Sequence, residues 1–314
     1  MIQQIQKLDR VTLVAPLGLR FCDFTSGTFV GDGLDVQVYP PGSPARKVPA
    51  VANRSGVYVL HHAPGLRELE YGEGDQAYWN ELPPARDFVI EVNDNERRFQ
   101  PFQFIAGLPA RGFYKWVDPL LSSPPTPAAS IPLYSSPVRA VPPGMAVLRA
   151  DLWDGSNDIA ASWAVIEASL NDRIIARGIA DEQGRIALMF PYPAPRSFSV
   201  TSPPGSPLGS PPRAKTLALT EQVWSIGLRA FYTSARPIAS PPNAFAANPV
   251  LPELRFTLSQ PEATIWADAT LSEPLLEASL HYGHELVLQS RAATSPPSQS
   301  RQSVLFITPA VSPP

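Results

Sequence analysis

Proline constrains this chain more than any other residue: 38 of its 314 positions are proline, over twice the average frequency of about one in twenty. Proline removes a backbone donor and breaks helix interiors, so this density argues against a helical protein. It suits loops, edge strands and semi-rigid spacers. The six Trp, nine Tyr and fourteen Phe are too many core-forming residues for a disordered chain. The expectation is an all-β protein whose Pro-rich loops decorate folded modules. Ser-Pro-Pro recurs six times, beginning at Ser123, Ser202, Ser210, Ser240, Ser295 and Ser312. Each stands where hydrophobic periodicity lapses, which marks loops, linkers and a tail.

Strand-like segments fill the intervals. In a first module they lie near Val11–Ala15, Leu19–Phe24, Leu34–Tyr39, Val57–His61, Phe88–Val92 and Phe99–Ile105. Phe88, Ile90 and Val92 share one face, as expected of a half-buried strand. One short helix is expected around Asp75–Leu82, inside an insertion near residues 63–86. A Pro-rich linker at 118–132 leads to a second module at 133–235, with strands near Ala146–Trp153, Ser162–Ser169, Ile174–Ile179, Arg185–Phe190 and Val223–Phe231. Ala160–Leu170 could be a helix on propensity, but polar turns bound it and favour a strand. Alternation there is imperfect, since Glu167 shares a face with Trp163 and Val165. The first module then spans 1–117. Residues 236–314 carry further candidate strands at Leu254–Leu258, Thr264–Ala267, Leu276–Leu280, Glu285–Leu288 and Val304–Thr308. They either form a third small sandwich or complete the second module and reach to a neighbour.

An internal echo points to a repeat. "LRFCDF" from Leu19 resembles "LRADLW" from Leu148, and the turn ending in Gly56 matches the turn ending in Gly184. Glycine at such a corner suits a backbone with positive φ. The inward candidates after each turn are Tyr58 and Leu60, or Ile186 and Leu188.

Chemistry is harder to find. Cys22 is the only cysteine, so no internal disulfide can form and the residue reads as a small buried hydrophobe. Regular strand geometry sends His61 and His62 to opposite faces, and likewise His281 and His284. No His-Glu-x-x-His pattern, Gly-x-Ser-x-Gly elbow or Gly-rich phosphate loop occurs. The expectation is no catalytic residue, no cofactor and no metal. A net charge of −3 with no Lys/Arg cluster gives no electrostatic reason to bind nucleic acid. The N-terminus lacks a signal-peptide core and no stretch suffices for a membrane span. A cytosolic protein is expected, with any membrane association supplied by partners. Tyr78-Trp79 and Phe113-Tyr114-Lys115-Trp116 are the candidate contact surface, because aromatics anchor interfaces; alternatively they cap the core from outside. Trp153, Trp163, Trp224 and Trp266 read as core.

The segments "LRFCDFTSGTFVGDGLDVQVYPPG" and "NRSGVYVLHHAPGL" resemble the carboxypeptidase-regulatory or transthyretin-like β-sandwich, so the resemblance implies tandem Ig/transthyretin-like modules. With "DFVIEVNDNERRFQPFQF", "PLYSSPVRAVPPGMAVLRADLWD" and "GIADEQGRIALMFPYP", the pattern resembles an accessory family of phage-tail-like contractile injection systems. The resemblance covers roughly residues 15 to 235. It implies a structural part of a symmetric particle, at its baseplate or cap, present in multiple copies and bound to baseplate, sheath or cap proteins. The alternative is a carbohydrate- or surface-binding adhesion module, which a flat row of exposed Tyr or Trp would favour.

Overall fold

The computed structural model describes residues 13–72, 76–110, 112–119, 129–195, 197–200, 213–216, 218–234, 251–291 and 304–309. In the first body the strands are β1 (Leu17–Leu19), β2 (Phe21–Asp23), β3 (Phe29–Val30), β4 (Leu34–Tyr39), β5 (Val48–Ala52), β6 (Tyr58–Leu60), β7 (Arg86–Asp94), β8 (Phe102–Leu108) and β9 (Ile131–Leu133). The second contains β10 (Met145–Asp154), β11 (Ile159–Ala160), β12 (Val165–Leu170), β13 (Arg173–Ile179), β14 (Arg185–Pro191), β15 (Ser197–Val200), β16 (Arg213–Thr216), β17 (Val223–Phe231), β18 (Glu262–Ile265), β19 (Glu277–His281), β20 (Leu286–Leu288) and β21 (Val304–Pro309). Two short α-helices, α1 (Gln76–Asn80) and α2 (Leu254–Leu258), and three 3-10 turns, Pro44–Arg46, Arg67–Glu70 and Leu219–Glu221, complete the elements among the described residues. The fold is all-β.

The first sheet runs β1-β6-β5-β4-β7-β8, antiparallel throughout. It curls until the chain beyond β8 lies along β1: Ala110 N donates to Pro16 O at 2.8 Å and Tyr114 N to Gly18 O at 2.9 Å. Alternation fills the inside with Val36, Val38, Phe88, Ile90, Val92, Phe102, Phe104 and Leu108. Arg20 is the point where the chain leaves this sheet: β1 pairs with β6, and β2 pairs with β3 and, in parallel, with β9.

That parallel strand corrects the linker. Ile131 and Pro132, expected in a spacer, are buried in β9 beside Phe21 and Cys22. Proline is tolerated in so short an edge strand because no partner needs its missing donor. Residues 120–128 lie outside the described residues.

In the second sheet β10 is filled on both edges. β14 and β11 pair on one side; β20 and β21 run parallel on the other. β17 likewise lies between β12 and the pair β19 and β18. The strands β18, β19, β20 and β21 therefore belong to the second sheet. Leu254–Leu258, expected as a strand, is the helix α2. Glu253 caps it, accepting from Phe256 N at 2.5 Å, and Leu254 and Leu258 are buried in the first core.

Two further differences concern β12 and the tryptophans. Val165, Ile179 and Phe231 belong to the second sheet yet pack into the first core. β12 thus buries both faces, with Ile166 and Ala168 in the second core, which is why its alternation looks imperfect in sequence. Of the four tryptophans expected in cores only Trp224 is fully buried; Trp153, Trp163 and Trp266 are partly exposed. Trp163 precedes β12 with φ 63°, outside regular strand geometry.

The Gly56 and Gly184 turns carry the same hydrogen bonds. Asn53 Oδ1 accepts from Ser55 N and Val57 N, and Asp181 Oδ1 from Gln183 N and Arg185 N. Gly56 N reaches Asn53 O, and Gly184 N reaches Asp181 O, each at 3.0 Å. Their φ values are 71° and 80°. The following strands pair antiparallel with β1 and β10, and bury Tyr58, Leu60, Ile186 and Leu188.

The leading-strand alignment shifts by two residues. Leu19 faces Tyr58, whereas Ala150, not Leu148, faces Ile186. Asp23 then matches Asp154, and each begins a hairpin by accepting backbone N–H bonds two residues on.

Candidate interaction surface

Of the expected contact residues, Phe113, Tyr114 and Trp116 converge because the chain beyond β8 is held along β1. Tyr114 and Trp116 pack on Phe104 at ring distances of 5.2 and 6.1 Å. Arg255 of α2 donates to Tyr114 Oη at 2.8 Å and lies 5.4 Å from the Trp116 ring. Burial raises the Tyr114 phenol pKa against the lowering effect of Arg255. These two rings therefore cap the first core from outside.

Phe113 is different. Its ring is 42 % exposed and lies 4.5 Å from the guanidinium of Arg20, whose other ring neighbour is Phe29, 50 % exposed, at 4.8 Å. Three separate segments build this sandwich: the β1–β2 junction, β3 and the chain after β8. Neither Arg20 nor Phe29 was marked by sequence, because nothing local links them to Phe113.

Tyr78 and Trp79 form a separate pair on α1. Their rings meet edge-on at 5.3 Å, and both side chains are half-buried. The Tyr78 phenol is raised by burial and by nearby Glu70.

Glu70, a residue type and position that suggest a solvated turn, is instead a buried carboxylate. It accepts from His62 N, while His61 Nδ1 and His62 Nδ1 stand 3.7 and 3.6 Å from its Oε2. The expected opposition of the two histidines fails here because His62 has φ 61° and leaves strand geometry just after β6. His281 and His284 also approach, at 6.4 Å between rings, since β19 ends at His281. Among the described residues no three His, Cys, Asp or Glu side chains are placed to hold a metal ion. Cys22 is buried at the centre of β2, and burial pushes its thiol up to about 11.

The densest buried charge lies at the joint between the bodies. Arg177 of β13 donates to Glu167 Oε1 of β12 at 2.9 and 2.6 Å, and to Asp118 Oδ2 at 2.6 Å. Its side chain is 1 % exposed. Burial works against its charge, but Tyr134, Asp118 and Glu167 outweigh burial and raise its pKa. Shallow clefts of about 250–310 Å³ flank the Gly184 turn, lined in part by Gln100, Pro101, Asp181 and Arg185.

Comparison with protein-family models, with curated proteins and with solved structures finds no match. No helix among the described residues is long and apolar enough to cross a membrane.

Proposed function

We propose that this chain is a non-catalytic structural component of a contractile, phage-tail-like injection particle. In this reading it is made in the cytosol, is present in several copies and binds baseplate, sheath or cap proteins. The two bodies then serve as tandem modules of the Ig/transthyretin-like kind, with the Pro-rich segments as loops. The observation that carries the reading is the joint. First-body core residues are packed by Val165, Ile179 and Phe231 from the second and by Leu254 and Leu258 of α2, and Arg177 bridges Glu167 to Asp118. A chain so tied presents its outer surfaces with little entropy left to lose on assembly. The equivalent Gly56 and Gly184 turns support the tandem reading.

The aromatic side chains favour assembly over adhesion. Tyr114 and Trp116 are tucked against Phe104 rather than laid out as a flat platform. The experiment is gene deletion in the native host, followed by particle purification and electron microscopy. Copurification of the chain with tail proteins, and defective particles without it, are expected. Intact and fully functional particles after deletion would overturn the assignment.

A further inference from the structure

Six arginines stack on aromatic rings among the described residues: Arg20, Arg98, Arg139, Arg177, Arg229 and Arg255. Five of them also donate in-plane N–H groups to an acceptor within the chain. Arg98 reaches Asp94, Arg139 reaches Asp23, Arg177 reaches Glu167, Arg229 reaches Glu262, and Arg255 reaches the Tyr114 phenol. Arg20 is the exception. It is gripped by two rings, and no carboxylate of the described residues lies within ion-pair distance of it.

Stacking occupies the faces of a guanidinium and leaves its edge, where the N–H donors lie. Two ring neighbours, at 4.8 and 4.5 Å, also restrict rotamer freedom before any ligand arrives, so less is lost when the N–H donors are engaged. Its backbone is fixed as well, since Arg20 O accepts from Ile131 N at 2.8 Å. Phe29 and Phe113 both stay half-exposed beside it, giving a charged spot with apolar neighbours. The chemistry that fits is a carboxylate taken bidentately by the fork, with its methylene carbons against the two rings.

We propose that the Phe29–Arg20–Phe113 sandwich is a docking site for an acidic side chain of a partner protein. Arginine and aromatic residues are the types that dominate interface energetics. The site rests on the assembly reading, for which it supplies the recognition chemistry.

The test is a titration of the ¹⁵N-labelled full chain, followed at the arginine side-chain Nε–H resonances, with Arg20 assigned through Arg20→Lys. The probes are the blocked pentapeptide Gly-Val-Glu-Val-Gly, its Gln analogue and inorganic phosphate. A saturable shift of the Arg20 resonance with the Glu peptide is expected, with loss of that shift for Gln. Phe113→Ala, at an exposed position, should weaken Glu-peptide binding several-fold while circular dichroism stays unchanged. Equal shifts with Glu and Gln peptides, no shift at Arg20, or a response to phosphate alone would each overturn the site. A normal particle after gene deletion, with the peptide result intact, would sink the assembly reading and leave the carboxylate fork standing.

Discussion

A guanidinium nitrogen of Arg177 stands 2.6 Å from Asp118 Oδ2, across the joint between the two bodies. The same guanidinium holds Glu167 on the neighbouring strand. Removing one member of a buried ion pair strands the others without a counter-charge, at a cost of about 3–5 kcal/mol. Arg177→Ala should lose about that much stability in urea denaturation. Replacing Arg177, Glu167 and Asp118 together by apolar residues of similar volume should lose less. Equal loss from both variants would show that the charges are not what the joint depends on.

The two repeat glycines should differ in sensitivity. A Cβ at Gly184 would fall 2.3 Å from Leu152 O, a backbone atom that cannot swing away, whereas at Gly56 it meets Gly31 Cα at 3.1 Å. Both need positive φ, which alone costs an L-residue about 1–2 kcal/mol. Gly56→Ala should therefore lose about that amount, and Gly184→Ala clearly more, as read from denaturation midpoints.

Acid should act through Asp23. Burial opposes its charge, but the Arg139 guanidinium, the Thr25 N–H and the Ser26 hydroxyl outweigh burial and hold its carboxyl below the usual aspartate value. A depressed folded-state pKa contributes stability that is full above the unfolded value of about 3.9 and is lost as pH falls through the folded one. The stability gap between the native chain and Asp23→Asn should accordingly narrow from about pH 6 to about pH 2. A gap that stays constant over that interval would assign the Arg139 contact no pH-dependent role.

Leu258 tests the closure of the first body by a distant segment. It is fully buried in the first core although it lies beyond the second body's main strands. Leu258→Ala should cost about 2–5 kcal/mol. Its effect should appear as faster hydrogen exchange in β8 (which α2 covers) rather than in β10. Exchange changes confined to β10 would contradict that placement.

The sequence was most legible where one face of a strand is wet. Leu34–Tyr39 and Val223–Phe231 match the expected bounds, and the inward sets at Phe88, Ile90 and Val92 follow from alternation alone. It was least legible where packing comes from afar. Leu254–Leu258 has the residues of a strand, and only the Glu253 cap and the first core make it a helix. Val48–Ala52 hides behind Pro49, and Ile131–Leu133 behind a proline-rich neighbourhood. Phe113 was marked as a contact residue from its type. The arginine that gives it chemistry lies at the β1–β2 junction, and no periodicity links the two.

β10 has one flank filled by its own near neighbour β14 and the other by β20 and β21, which come far later in the chain. On a ribosome the β10–β14 pair is finished long before β20 and β21 emerge. For that interval the row of backbone donors and acceptors along the far flank of β10 has no native mate. Such an open row recruits whatever extended peptide is nearest, including another nascent copy. Slow synthesis of the segment after Phe231 would thus lengthen the period of greatest hazard, and the yield of this protein in a foreign host should fall as closure of that flank is delayed.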